Sequence, residues 1–213
     1  GALGLGLGLP AVAATTVAAE PAAECVILLH GLARSSASMR PMAEALEAQG
    51  YRVANIDYPS REHPIEVLAP LAVGAGLAQC RSQSATVIHV VTHSLGGILL
   101  RAYLHERDIP ELGRVVMLGP PNRGSEVVDQ FAGVPGFDAL NGPAGAQLGT
   151  GPDSVPLQLG RVDFVVGVIA GTASINPILS TAFDGPNDGK VSVSRAKVDG
   201  MSDFVALPVS HHA

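Results

Sequence analysis

The sequence predicts an α/β fold, with a mostly parallel central sheet, helices on both faces and a small Gly/Pro-rich cap segment. Two observations carry that class. Largely apolar runs such as Cys25-Val26-Ile27-Leu28-Leu29 and Val87-Ile88-His89-Val90-Val91 are the mark of strands buried inside a parallel sheet. Segments with helical apolar spacing alternate with them, and that rhythm requires parallel pairing with right-handed crossovers. At 213 residues, 47% of them apolar and 15% charged, the chain suits one domain with a sizeable core.

Taken in order, the first strand is Cys25 to Leu29, ending in His30-Gly31-Leu32. A polar loop, Ala33 to Ser38, leads into a helix over 39–49, which Gly50 ends as a left-handed C-cap. Tyr51 to Asp57 is the second strand, Tyr58 to Pro64 a loop, and Ile65 to Cys80 a second helix weakened by Gly74 and Gly76. The strand at 85–91 and a helix through His105 follow, then a strand at 114–118 ending in Gly119-Pro120-Pro121. Residues 125–161 break the rhythm with many Gly and Pro and with apolar Phe131, Val134, Phe137, Leu140 and Leu148. A segment this long is usually functional, and it is read as a cap and pocket wall. Strands at 162–171 and 204–207 close the pattern.

The chemistry centres on Thr92-His93-Ser94-Leu95-Gly96-Gly97. A strand reversing into a helix over so few residues needs small neighbours, because the two backbones nearly touch. The serine is left on a strained turn at a helix N-terminus, where free N–H groups favour an anion. This matches the nucleophile elbow written G-x-S-x-G, with Thr92 in place of the first glycine. The bland alternative is a serine that merely caps a helix. Acyl transfer also needs two fixed N–H donors for an oxyanion. The residue after the nucleophile, Leu95, supplies one, and Leu32 in the loop shaped by His30 and Gly31 supplies the other.

Leu28-Leu29-His30-Gly31-Leu32, Thr92 to Gly97, Pro120-Pro121-Asn122-Arg123-Gly124-Ser125 and Asn187-Asp188-Gly189-Lys190-Val191 together resemble the bacterial lipase/esterase branch of the α/β-hydrolase fold family. The resemblance covers about Cys25 to His211. It implies a serine carboxylester hydrolase acting through an acyl-enzyme, with no cofactor and no metal; the short apolar wall at 131–159 and the lack of a basic cluster point to neutral short- to medium-chain acyl esters. The rivals are a thioesterase or acyltransferase with the same residues, and a non-catalytic binding protein on the same fold. The chain order in this fold is Ser, then Asp or Glu, then His. Asp184 and Asp188 both lie in the loop before the last strand, and the family pattern favours Asp188. His211 follows the last strand and matches the family's Ser-His, with His212 its less favoured neighbour; His93 is expected to brace the elbow beside Gly96.

Net charge is −6 with no basic run, which argues against a nucleic-acid partner, and aromatics are only 4%. Uncharged Gly1 to Ala19 resembles a secretory signal without its basic start. The sequence thus reads as an apolar tail (1–24) before one domain (25–213), with export to the periplasm or beyond and no stable membrane span. Cys25 and Cys80 read either as a disulfide, which that compartment allows, or as two buried apolar residues. Oligomeric state is not legible.

Overall fold

The computed structural model describes residues 23–134, 136–174, 183 and 185–211. The signal-like stretch up to residue 22, Asp184 and His212 lie outside them.

Among the described residues, six strands form one all-parallel sheet in the order β2-β1-β3-β4-β5-β6. They are β1 (Glu24–Leu29), β2 (Arg52–Ile56), β3 (Val87–His93), β4 (Leu112–Leu118), β5 (Val166–Gly171) and β6 (Asp203–Leu207). The helices are α1 (Arg40–Ala48), α2 (Ile65–Ser82), α3 (Leu95–Glu106), α4 (Glu126–Phe131), α5 (Phe137–Ala146), α6 (Val155–Gln158) and α7 (Val193–Ala196). Gly50, at φ 90°, takes the left-handed conformation expected after the first helix. The expected strand at 162–171 starts only at Val166, because the Val162 amide turns away to the carbonyl of Asp199.

Alternation along β1 explains the layering. Cys25, Ile27 and Leu29 pack with α2 and α3, while Val26 and Leu28 pack with Met39 and Ala43 on the other face. β3 is less enclosed than its composition suggests. Its residues alternate between buried and half-buried, because α2 and α3 cover only one of its faces. On α2, Ile65, Leu68, Ala72, Leu77 and Cys80 recur at helical spacing and are buried. Each large one contributes about 1.5–3 kcal/mol. Gly76 lets this helix reach the sheet, since a Cβ there would sit 2.6 Å from Ile27 Cγ2.

The cysteines resolve to a disulfide. Cys25 at the start of β1 and Cys80 near the end of α2 are bonded, with Cα atoms 5.7 Å apart and a sequence separation of 55.

Register positions the site. Leu29 pairs with Thr92, His93 with Leu118, Leu118 with Ile169 and Gly171 with Leu207. Five carboxyl ends therefore finish along one edge, and the loops leaving them converge, as the open parallel-sheet rule requires.

Candidate active site

Ser94 sits between β3 and α3 at φ 52°, ψ −119°, a backbone state that non-glycine residues adopt only when their surroundings impose it. Those surroundings are tight. A Cβ on Gly96 would lie 2.7 Å from the Leu29 carbonyl oxygen, and one on Gly31 would lie 2.7 Å from His93 Nδ1. Both glycines are needed for close approach, which the sequence suggests for Gly96. Thr92, fully buried beneath the turn, has a hydroxyl with no hydrogen-bond partner among the described residues.

The Ser94 hydroxyl lies 3.0 Å from His211 Nε2, and His211 Nδ1 lies 2.7 Å from Asp188 Oδ2. Ionised carboxylates only accept, so the proton sits on Nδ1 and Nε2 is left to accept from the serine. All three groups are buried. Burial alone would push the Asp188 carboxyl up. The hydrogen bond and charge of His211, with the amides of Val191 and Lys190, outweigh it and hold the group below the usual carboxylate range. Those two amides donate to Asp188 Oδ1 at 2.8 and 2.9 Å. The loop is fastened from outside by Ser125, whose hydroxyl donates to the Lys190 carbonyl at 2.7 Å.

His211 follows an edge strand, and contacts from several directions fix it. Besides the Asp188 bond, its amide donates to the Asp188 carbonyl at 3.0 Å, and His93 Nε2 donates to its carbonyl at 2.8 Å. His93 thus braces the histidine loop as well as the elbow.

The two expected oxyanion amides, Leu32 and Leu95, flank Ser94, and among the described residues neither donates to an acceptor. The loop carrying Leu32 is held by residues that sequence reasoning missed. Tyr58 donates its hydroxyl to the His30 carbonyl and stacks on the His30 ring, and Ser60 Oγ accepts the Ala33 amide at 3.0 Å. His30 is fully buried; desolvation lowers its pKa, so the ring is neutral, with Nδ1–H on the Gly31 carbonyl and Nε2 facing the Tyr58 amide. Gly119 was also missed. At φ 52° it ends β4, and a Cβ there would lie 3.1 Å from Asp188 Oδ2 and 3.2 Å from His211 Nδ1. The only sequence hint was its place before Pro120-Pro121.

Ser94 and His211 open into a cavity of about 290 Å³ walled by Val128, Phe131 and Leu148 of the 125–161 segment. That segment contains α4, α5 and α6 rather than being only loop. Arg101 on α3 secures both its ends. The buried guanidinium donates to Asn122 on one side and to the Pro156 and Gly160 carbonyls on the other. Desolvation lowers its pKa to about 10, and it remains charged at neutral pH. Among the described residues, no three His, Cys, Asp or Glu side chains are grouped to hold a metal, and no helix is long and apolar enough to cross a membrane.

Comparison with known proteins agrees with this architecture. Mature lipase BlEst2 of Bacillus licheniformis superposes with a TM-score of 0.73 at 22% identity, over 93% of this chain and 89% of that one. Phospholipase PlaB of Legionella pneumophila gives 0.71 at 16% identity, over 90% and 53%. The esterase PF2001 of Pyrococcus furiosus gives 0.62 at 20%, over 90% and 75%. These likenesses establish the fold. No curated protein matches the sequence. The model of the alpha/beta hydrolase family matches residues 26–200, from β1 through the Asp188 loop, and the chain therefore belongs to that family.

Proposed function

We propose that this chain is a serine carboxylester hydrolase that cleaves neutral short- to medium-length acyl groups from their esters through an acyl-enzyme. The observation that carries the reading is the line of two hydrogen bonds from Asp188 through His211 to a serine on a strained turn. In this mechanism Ser94 Oγ attacks the ester carbonyl carbon as its proton passes to His211 Nε2. Negative charge then develops on the carbonyl oxygen, where the Leu32 and Leu95 amides receive it. The intermediate collapses, the C–O bond to the alcohol breaks, and His211 returns the proton to the departing oxygen. Water, activated by the same imidazole, then releases the acid and restores Ser94. Asp188 holds the Nδ1–H tautomer throughout and stabilises the imidazolium.

The apolar walls beside Ser94 support an uncharged acyl group. Each buried methylene contributes about 0.8 kcal/mol, so rates should rise over the first carbons and level off once the cavity is full. The Cys25–Cys80 bond supports an oxidising compartment and hence export. The test is labelling by a serine-directed phosphonate with the modified peptide identified, an initial burst with an activated ester, and an acyl series run against matching thioesters. Modification anywhere but Ser94 overturns the assignment, and faster thioester turnover moves the enzyme to the rival class.

A further inference from the structure

The sequence contains no basic run and only two lysines, but the fold brings one of them to the reaction centre. Lys190 and Arg34 lie 156 positions apart, yet both line the cavity that contains Ser94 and His211. Among the described residues no carboxylate lines that cavity, although the chain carries 19 acidic residues against 13 basic ones. Lys190 is firmly rooted. Its amide donates to Asp188 and its carbonyl accepts from Ser125, so its backbone is fixed beside the site. Its ammonium has no hydrogen-bond or ion-pair partner among the described residues, and the carboxylate beside it, Asp188, is already committed to His211. Lys190 is exposed at the rim of this cavity; partial loss of water and then the Arg34 charge lower its pKa, against a smaller opposing pull from Asp188. Arg34 also lines a second groove, with Met39, Met42, His93 and His211. The acyl walls of Val128, Phe131 and Leu148 offer an anion nothing.

We infer that the substrate is an ester whose acyl half is apolar and whose alcohol half carries an oxyanion, a carboxylate or phosphate, held at the cavity mouth by Lys190 with Arg34 beside it. The inference rests on the ester-hydrolase reading and departs from the sequence expectation of a neutral ester in one respect, a charge on the alcohol half. A local cationic site on an anionic protein also concentrates such substrates at the mouth, because low-dielectric walls focus the field.

The experiment uses three butyrate esters that share one acyl group: those of 4-hydroxybenzoate, 4-hydroxyphenyl phosphate and 4-hydroxybenzamide. Each kcat/KM is divided by the ester's spontaneous hydrolysis rate at the same pH, which removes leaving-group differences. The proposal expects an anion-to-amide ratio of about ten or more, the scale of one charge-assisted hydrogen bond. That ratio should fall with added salt, drop towards one in Lys190→Met, and be kept in Lys190→Arg. Because it is taken within each variant, any general loss of activity cancels. A gain with either anion supports the site, and the larger gain identifies the anion. A wild-type ratio of one or below, or a ratio unchanged in Lys190→Met, overturns the anion site and leaves the hydrolase reading standing. Failure to cleave any of the three esters overturns both.

Discussion

The two halves of the reaction centre are built in opposite ways. The elbow around Ser94 is made by neighbours in the chain. β3 runs straight into α3, and Gly96 and Gly97 admit the turn, with β1, the His30–Leu32 loop, and Met117 and Pro120 at the end of β4 pressing from the sides. The half that supplies His211 and Asp188 is assembled from distant pieces. His211 bonds to Ser94 across 117 positions, to Asp188 across 23 and to His93 across 118. It follows β6, whose residues are mostly exposed. The lesson is that Ser94 is held by close steric contacts, whereas His211 is held by a few hydrogen bonds, two of which depend on a single partner side chain, Asp188 or His93.

The largest expected effect comes from removing either end of the bond that joins the halves. Ser94→Ala and His211→Ala should each lower ester turnover by at least ~10⁴-fold, with thermal melting changed little in Ser94→Ala. Retained turnover in purified Ser94→Ala would sink the assignment, and unequal losses would show that the two residues do not act as one unit.

His93→Ala breaks only the brace between the halves. The fall should be about 10- to 100-fold, mostly in kcat, as expected when a reacting group drifts by about an ångström. KM should move little. Gln at this position, able to donate to the His211 carbonyl, should recover part of the loss. A pure KM effect would assign His93 to binding instead.

The disulfide sharpens the contrast from below the sheet, since Cys25 and Cys80 tie β1, which presses on the elbow, to α2. Replacing both cysteines by alanine should cost roughly 2–4 kcal/mol in urea unfolding. Ester kinetics in the folded variant should stay near those of the parent. A large kinetic loss without unfolding would show that the elbow depends on more than its local sterics.

Acid should act on the assembled half. The Asp188 carboxyl lies below its ordinary value in the fold, so its contribution to stability is complete above the unfolded carboxylate pKa of about 3.9. It is lost as pH falls through the depressed folded value. The urea midpoint should therefore drop below about pH 4 in the parent and drop less in Asp188→Asn. Equal drops would place the acid lability elsewhere.

The smallest effect belongs to the elbow. Thr92 buries a hydroxyl without a partner among the described residues, which ordinarily costs about 1–3 kcal/mol. Thr92→Val should raise stability by about 1 kcal/mol with activity nearly unchanged. A loss would mean that the added methyl overpacks the space beside Gly97, whose Cβ position is 3.2 Å from Thr92 Oγ1.

What could be read from the sequence follows the same division. Alternating apolar strands and helices, the serine between two glycines and a strand end, and the His30-Gly31 loop are local patterns. Their physics is complete within about ten residues, so the parallel sheet and the elbow were legible before any coordinates. Asp188 and His211 were named from a family likeness, since nothing local distinguishes Asp188 from Asp184 or His211 from His212. Only the tertiary structure decided the rest: that Cys25 and Cys80 bond, that His93 holds the His211 carbonyl, that Tyr58 and Ser60 secure the Leu32 loop, and that Gly119 leaves room for the Asp188–His211 bond. It also placed Lys190 and Arg34 in one cavity. Each of these contacts closes a loop of tens of residues or more. The sheet register that meets this cost belongs to the whole fold, and no single segment carries it.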